Sequence, residues 1–305
     1  MNKNKVFFLL LLFMYMLGNA QDTILPIWTK EIPNRIATDE KEVEDSEEIL
    51  RISLVQKPII EVFLPAKRSA TGKAVLIFPG GGYHFLAYDW EGTDVAKFLN
   101  AKGIAAIVVK SRLPNSKSLT EAYKVPLQDA QRAMRITRAN ASTWHINPNE
   151  IGIIGFSAGG HLASTLGTHY DEIVYEKQDP VDELSARPDF MALIYPVITM
   201  KEQTHQGSKN ALLGKKPSDD QVEALSNETQ VTTHTPPTFL VHATDDTVVP
   251  VENSLLFYTA LKAHKVPVTL FVYPKGGHGF GLGLHDEFLK DWPNQLMTWM
   301  ATLKR

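Results

Sequence analysis

The 305-residue sequence contains no cysteine. Disulfide bonds, thiolate metal sites and a cysteine nucleophile are therefore excluded, and any covalent catalysis must use another side chain. A large excess of either charge is also missing, because the formal net charge is -3 and the Lys and Arg residues are scattered. Binding to nucleic acid or an anionic membrane needs clustered basic residues, so we expect neither partner. No HExxH motif or paired His and carboxylate spacing predicts a metal site, and we expect no cofactor.

Long apolar runs are scarce as well. The longest, residues 6–17, follows the basic segment "MNKNK" and precedes the small residues "GNA". This order predicts a secretory signal peptide over residues 1–20, cleaved after Ala20, and a secreted or periplasmic protein. The run is shorter than the roughly 20 residues that a membrane-spanning helix needs, so a retained anchor is only the alternative.

Two regions follow the predicted signal peptide. Residues 21–48 are polar and acidic, with "DEKEVEDSEE" at 39–48, and are interpreted as a lead-in that lies over the surface. Six apolar runs follow. Each is apolar throughout and does not alternate with polar residues as a strand with one solvent-exposed face would, so we predict strands that are buried on both faces. They are Lys73–Pro79, Ile104–Lys110, Glu150–Phe156, Phe190–Pro196, Pro237–Ala243 and Pro267–Pro274. Their alternation with helical patterns predicts one α/β domain over residues 49–305, with a mostly parallel sheet and helices on both faces.

The helical pattern at residues 125–141 has two distinct faces. A narrow apolar stripe predicts the side that packs on the sheet. It consists of Leu127, Ala130, Ala133, Met134 and Thr137. The polar residues Asp129, Arg132, Arg135 and Arg138 share another face, which we predict to be solvated and to contain an i,i+3 ion pair.

The segment "GFSAGG" at residues 155–160 joins a predicted strand directly to a predicted helix. Such a turn strains the residue at its apex and exposes its side chain, while Gly155 and Gly159 leave room for the neighbouring backbone. Strand, G-x-S-x-G and helix together match the nucleophile elbow of the α/β-hydrolases. The sequence therefore predicts Ser157 as a nucleophile.

The glycine-rich segment "FPGGGY" at residues 78–83 follows an earlier strand. A tetrahedral oxyanion needs preorganised N–H donors, and three glycines let the backbone approach a substrate carbonyl. We predict the amides of Gly81, Gly82 and Ala158 as these donors; a flexible glycine turn is the alternative.

An acid and a base are expected on loops after later strands. "HATDDTVVP" supplies Asp245 and Asp246, and "KGGHGFGLG" supplies His278 within a loop of five glycines. The other histidines, including His161, are interpreted as packed or surface residues. The pattern predicts His278 as the general base and one of the two aspartates as its partner.

These motifs resemble those of secreted bacterial α/β-hydrolases known as acetyl xylan esterases and feruloyl esterases. The resemblance rests on "PGGGY", "GFSAGGHLA", "RPDFMALIYPVITM", "HATDDTVVPVENSLLFYTAL" and "YPKGGHGFGLG", in this order. It implies that Asp246, which begins a D-x-x-V-P motif, is the acid of the triad, with Asp245 as the alternative. Pro79 and Ala243 depart from the His and Gly that many relatives have there.

The resemblance implies a serine esterase that removes acetyl or feruloyl groups from an acylated oligo- or polysaccharide. The segment between Val197 and Pro236 is too short for a large cap domain, and Tyr83, Tyr88 and Trp90, with His84 and Phe85, are candidates to stack on sugar or ferulate. A packed loop is the alternative for these residues. An exopeptidase resembling the prolyl oligopeptidases and a non-catalytic binding module are the alternative functions. The sequence does not determine the oligomeric state.

Overall fold

The structure is a computed structural model that describes residues 23–303. The predicted signal peptide lies outside the described residues. An eight-stranded sheet has the order β1-β4-β7-β5-β8-β9-β10-β11, and β2, β3 and β6 form a small antiparallel sheet. The strands are β1 Thr23–Pro26, β2 Val43–Asp45, β3 Arg51–Ser53, β4 Ile59–Phe63, β5 Ala74–Phe78, β6 Phe85–Ala87, β7 Ala105–Lys110, β8 Ile151–Phe156, β9 Met191–Ile194, β10 Thr238–Ala243 and β11 Val268–Tyr273. In this sheet order, all neighbouring strands from β7 through β5, β8, β9 and β10 to β11 are parallel. β1 pairs antiparallel with β4, and β4 pairs antiparallel with β7.

Helices cover both faces of the large sheet, as predicted. They are α1 Asp94–Ala101, α2 Val125–Ala139, α3 Ser157–Thr168, α4 Gln206–Leu213, α5 Asp219–Ala224, α6 Glu252–Ala263 and α7 Trp292–Thr302. Alternate strand residues enter two separate cores: Leu76 belongs to the core that also contains residues of α2, α3 and α6, and Ile77 to the core that contains residues of α1 and α7. None of the described helices is both long and apolar enough to cross a membrane.

Five of the six predicted strands are fully buried. The sixth, β11, is only half-buried, and Val272 is 43% exposed. The prediction that it is buried on both faces is wrong because β11 lies at the edge of the sheet, next to β10 alone. An apolar run does not distinguish an edge strand from a central one.

The interpretation of residues 21–48 as a surface segment is wrong for Ile27 and Trp28, which are 0% and 6% exposed. Thr23–Pro26 form the other edge strand of the large sheet, and Ile27 and Trp28 enter the core. The acidic part that follows is mostly exposed, although Glu42 forms an ion pair with Lys110. Part of the lead-in thus belongs to the packed domain.

The predicted solvated face of α2 is also wrong. Asp129 is fully buried, and its carboxylate accepts hydrogen bonds from the Arg112 guanidinium and from Trp28 Nε1, each at 2.7 Å. Arg132 is 2% exposed and pairs with Asp179 and Asp182, instead of Asp129. Arg135 and Arg138 are half-buried. Residues distant in sequence cover this face, so periodicity alone could not identify it as interior.

The segment between β9 and β10 contains only short helices. α4 has eight residues and α5 has six. Within the described chain it forms no large cap domain, in agreement with the fold prediction.

Candidate active site

Ser157 lies at a sharp turn between β8 and α3. Its φ of 51° is in the left-handed region, which a residue with a side chain occupies only at a cost. A Cβ on Gly155 would lie 2.3 Å from the Gly159 carbonyl oxygen, and a Cβ on Gly159 would lie 2.1 Å from that of Phe78. Both glycines are therefore required by close backbone approach, as the sequence predicted.

The structure brings Ser157, His278 and Asp246 into one hydrogen-bonded row. His278 Nε2 lies 2.8 Å from Ser157 Oγ, and His278 Nδ1 lies 2.7 Å from Asp246 Oδ2. An ionised carboxylate can only accept a hydrogen bond, so His278 Nδ1 carries a proton and its N–H donates a hydrogen bond to Asp246. Nε2 is then free to accept the serine proton, which is the arrangement that general-base activation requires.

Asp246 has the environment of a permanently ionised carboxylate. Burial on its own would raise its pKa, but hydrogen bonds from His242, His278 and the Val249 amide hold the pKa well below its usual value. Asp245 instead accepts a hydrogen bond from the Gly277 amide at 2.8 Å. Of the two aspartates, Asp246 therefore contacts the histidine, and Asp245 supports the loop that carries it.

The predicted oxyanion donors lie next to this row. Gly81 and Gly82 have φ values of 128° and 65°, and both line a cleft together with Ser157 and His278. Ala158 is the second residue of α3, where the N–H has no acceptor within the helix. In the described part of the chain, no residue accepts a hydrogen bond from these three amides. Their role in binding an oxyanion stays a prediction.

The cleft above Ser157 has a volume of about 460 Å³. Of the aromatic residues predicted to bind substrate, Trp90 lines it, as do His84 and Phe85. Trp90 is 39% exposed, and its indole N–H donates to the Gly279 carbonyl at 2.9 Å. Trp90 is thus fixed beside the histidine loop with part of its surface free.

Tyr83 and Tyr88 do not line this cleft, and the structure places both of them in the interior. Tyr83 is 5% exposed, and its hydroxyl lies 2.8 Å from His161 Nδ1. Tyr88 is 6% exposed and donates to Glu61 at 2.8 Å. Each ring thus fills the interior and each hydroxyl already has a partner, which is what the packed-loop alternative expects.

Sequence reasoning missed four residues around the site. Glu91 and His205 line the cleft, Tyr195 packs edge-on against the His278 ring, and His242 Nε2 lies 3.3 Å from Asp246 Oδ2. Tyr195 and His242 lie at the carboxyl ends of predicted strands, where sites of open α/β sheets form, and this position could have identified them. For Glu91 and His205 the sequence offered no comparable signal. Across residues 23–303, no cluster of three or more His, Asp or Glu side chains could hold a metal ion.

Comparison with known proteins gives the chain a family. Residues 60–261 match the BD-FAE family model, and His278 lies beyond the matched residues. The chain is 39% identical to an acetylxylan esterase of Xylanibacter ruminicola, with 77% of this chain and 47% of the relative covered. It is also 39% identical to the endo-1,4-beta-xylanase B of Butyrivibrio fibrisolvens, with 72% and 34% covered. The chain spans less than half the length of either relative.

A solved structure supports the same grouping. The crystal structure of an acetyl ester-xyloside bifunctional hydrolase from Caldicellulosiruptor lactoaceticus has a TM-score of 0.80 and 38% sequence identity to the chain. The match covers 92% of this chain and 96% of that one. The carboxylesterase Cest-2923 of Lactobacillus plantarum, at 22% identity and a TM-score of 0.68, has a related α/β-hydrolase fold.

Proposed function

The chain belongs to the BD-FAE family of α/β-hydrolases, and from this premise we propose that it is a serine esterase that deacylates plant polysaccharide. Its substrate is an acetyl or feruloyl ester on xylan or on xylan oligosaccharides. The observation that carries the proposal is the hydrogen-bonded row of Ser157, His278 and Asp246 at the base of an open cleft. The names of the similar acetylxylan esterase and acetyl ester-xyloside hydrolase support acetyl as the preferred group.

In the first half of the reaction, Ser157 Oγ attacks the acyl carbon as its proton passes to His278 Nε2. The tetrahedral oxyanion accepts hydrogen bonds from the amides of Gly81, Gly82 and Ala158, and one such donor contributes about 3 kcal/mol in comparable sites. His278 then returns the proton to the sugar alcohol, which leaves. Asp246 keeps the imidazole in the productive tautomer and stabilises its positive charge.

In the second half, water replaces the sugar. His278 takes a proton from the water, whose oxygen attacks the acyl-enzyme carbonyl, and the same donors stabilise the second oxyanion. Collapse of this intermediate releases the carboxylic acid and returns the proton to Ser157. The cycle uses groups of this chain and one water, and it needs no cofactor.

The open shape of the cleft suits a substrate that is part of a long chain. With only the short helices α4 and α5 between β9 and β10, a sugar chain can extend beyond the reacting ester. The exposed part of Trp90 offers an aromatic surface of the kind on which sugar rings stack. We propose Trp90 as the residue that contacts the sugar or a feruloyl ring.

We also propose that the protein acts outside the cytoplasm, in the periplasm or beyond the cell. The support is the sequence of residues 1–20, with its basic start, short apolar run and small residues before Gln21. Polymeric xylan is too large to enter the cytoplasm, so a location outside it agrees with the proposed substrate. N-terminal sequencing of the exported protein tests it, and Gln21 is the expected first residue.

A fluorophosphonate probe tests the nucleophile. It should label the protein but not Ser157→Ala, while Ser142→Ala, which changes an exposed serine, should label normally. The unmodified protein should release acetate from acetylated xylan and show no activity on a proline anilide. Labelling of Ser157→Ala, or cleavage of the anilide without acetate release, would contradict the proposal.

A further inference from the structure

Glu91 is a buried carboxylate that the proposed reaction does not use. It is 4% exposed and belongs to the π-helical turn Asp89–Thr93, at the base of the cleft. Turns of this kind are rare and are frequently found at functional sites. The charged group that acts on it is His278, whose positive charge lowers the pKa of Glu91. A buried charge is costly unless hydrogen bonds satisfy it, so a buried Glu91 carboxylate needs hydrogen-bond donors at both of its oxygens.

Both carboxylate oxygens of Glu91 accept a hydrogen bond. The Gly80 amide donates to Oε2 at 2.8 Å, and the Tyr195 hydroxyl donates to Oε1 at 2.7 Å. Burial raises the pKa of Glu91 above its usual value, while these two bonds oppose the rise. Because both partners are donors, the site is built for an ionised carboxylate.

The two donors, the Gly80 amide and the Tyr195 hydroxyl, belong to two parts of the site whose relative position matters for the reaction: the oxyanion loop and the surroundings of His278. Gly80 precedes Gly81 and Gly82, and a Cβ on Gly80 would lie 2.6 Å from Glu91 Oε2. The same Cβ would also lie 2.8 Å from the Phe156 carbonyl oxygen and 2.9 Å from Ser157 Cβ. The oxyanion loop is therefore held between Glu91 and the elbow at a distance that only glycine allows.

On the other side, Tyr195 connects Glu91 to the loop of the base. Its hydroxyl accepts a hydrogen bond from the Gly281 amide at 2.9 Å, and its ring packs edge-on against His278 with a centroid distance of 4.9 Å. Tyr195 has a φ of 36°, a conformation that costs about 1–3 kcal/mol. The contacts of Tyr195 thus hold a strained residue in one position.

We propose that Glu91, acting through Tyr195, is a positioning residue that sets the distance between the oxyanion loop and His278. The continuous connection runs from Gly80 to Glu91, Tyr195 and Gly281, and it joins the two loops from below the cleft. A misplacement of reacting groups by about 1 Å can lower a rate about 100-fold, so such a connection is sufficient to affect turnover. The inference rests on the proposed esterase function.

Two variants break the connection at different points. Glu91→Gln replaces one acceptor oxygen by an NH₂ group, which cannot accept from either donor. Tyr195→Phe keeps the ring against His278 and the Glu91 contact with Gly80, but it releases Gly281. Tyr175→Phe is the matched control, because the Tyr175 hydroxyl also donates to a carboxylate, Asp182, and accepts from an N–H donor, away from the cleft.

Steady-state kinetics with 4-nitrophenyl acetate test the connection. Glu91→Gln and Tyr195→Phe should each lower kcat by about 10- to 100-fold and change KM by less than about threefold. Since both act through one connection, the double variant should lose no more than the worse single variant. Tyr175→Phe should retain kcat. If Glu91→Gln does not fold, Tyr195→Phe and the control decide the outcome.

Three results would overturn the inference. They are a Tyr195→Phe variant with more than half of the original kcat, single effects that multiply in the double variant, and an equal loss in Tyr175→Phe. Failure of the proposed function is distinct, because the unmodified protein would then release no acetate from acetylated xylan, whereas the inference is judged by the ratio of each variant's kcat to that of the unmodified protein.

Discussion

His161 makes the stability of this protein sensitive to acid. The side chain is 1% exposed on α3, behind the elbow that carries Ser157. Its Nε2 lies 2.8 Å from the Leu225 carbonyl oxygen and therefore donates, which leaves Nδ1 to accept from the Tyr83 hydroxyl. Burial lowers the pKa of His161 to about 4. The folded protein thus holds His161 neutral under conditions in which the unfolded chain protonates it.

The sign and size of the effect follow from proton linkage. Between the unfolded pKa of about 6.5 and the folded value, the unfolded chain binds more protons, so the free energy of unfolding falls as the pH falls. This contribution is fully present above about pH 6.5, and at pH 4 the protein should have lost about 3 kcal/mol through His161 alone. A loss of that size is a large fraction of the stability of a typical domain.

Urea unfolding followed by tryptophan fluorescence at several pH values between 7 and 4 measures the effect. Gln at position 161 keeps a hydrogen-bond donor and an acceptor but does not titrate, so the stability of His161→Gln should depend less on pH. The difference between the two pH dependences of the free energy of unfolding is the contribution of His161. His234→Gln, which changes an exposed histidine, should keep the original dependence. Equal slopes in the unmodified protein and His161→Gln would refute the reasoning.

Four other predictions test the site and the core. Asp246→Asn should lower kcat by about 10⁴-fold and Asp245→Asn far less, and the reverse order in an ester assay would refute the assignment. Trp90→Ala should raise KM for acetylated xylo-oligosaccharides more than for 4-nitrophenyl acetate; an equal rise for both would exclude sugar contact. Asp129→Asn should cost about 3–5 kcal/mol in urea unfolding, because it leaves Arg112 buried without its counter-charge, and a loss below about 1 kcal/mol would contradict that account. EDTA should leave esterase activity unchanged, whereas inhibition reversed by a divalent metal would refute a metal-free mechanism.

The sequence alone determined the features that depend on neighbours along the chain. A strand that enters a helix through "GFSAGG" can turn only with glycines on either side of the residue at the apex, so the elbow and Ser157 were predictable, although the structure leaves the Ser157 side chain only 7% exposed. Uniformly apolar runs identified the central strands, and loops after strands identified His278, because the carboxyl ends of parallel strands meet at one edge. These inferences need only local sterics and the period of the apolar pattern.

Tertiary structure alone decided which side chains meet. Asp245 and Asp246 have the same chemistry, and only the path of the loop turns Asp246 toward His278. Tyr83 resembles a surface aromatic in sequence but fills the interior behind the elbow. Glu91 and Tyr195 lie about a hundred residues apart, and their contact forms only when the sheet brings both loops together. Burial and hydrogen-bond partners depend on these distant neighbours, which local patterns do not specify.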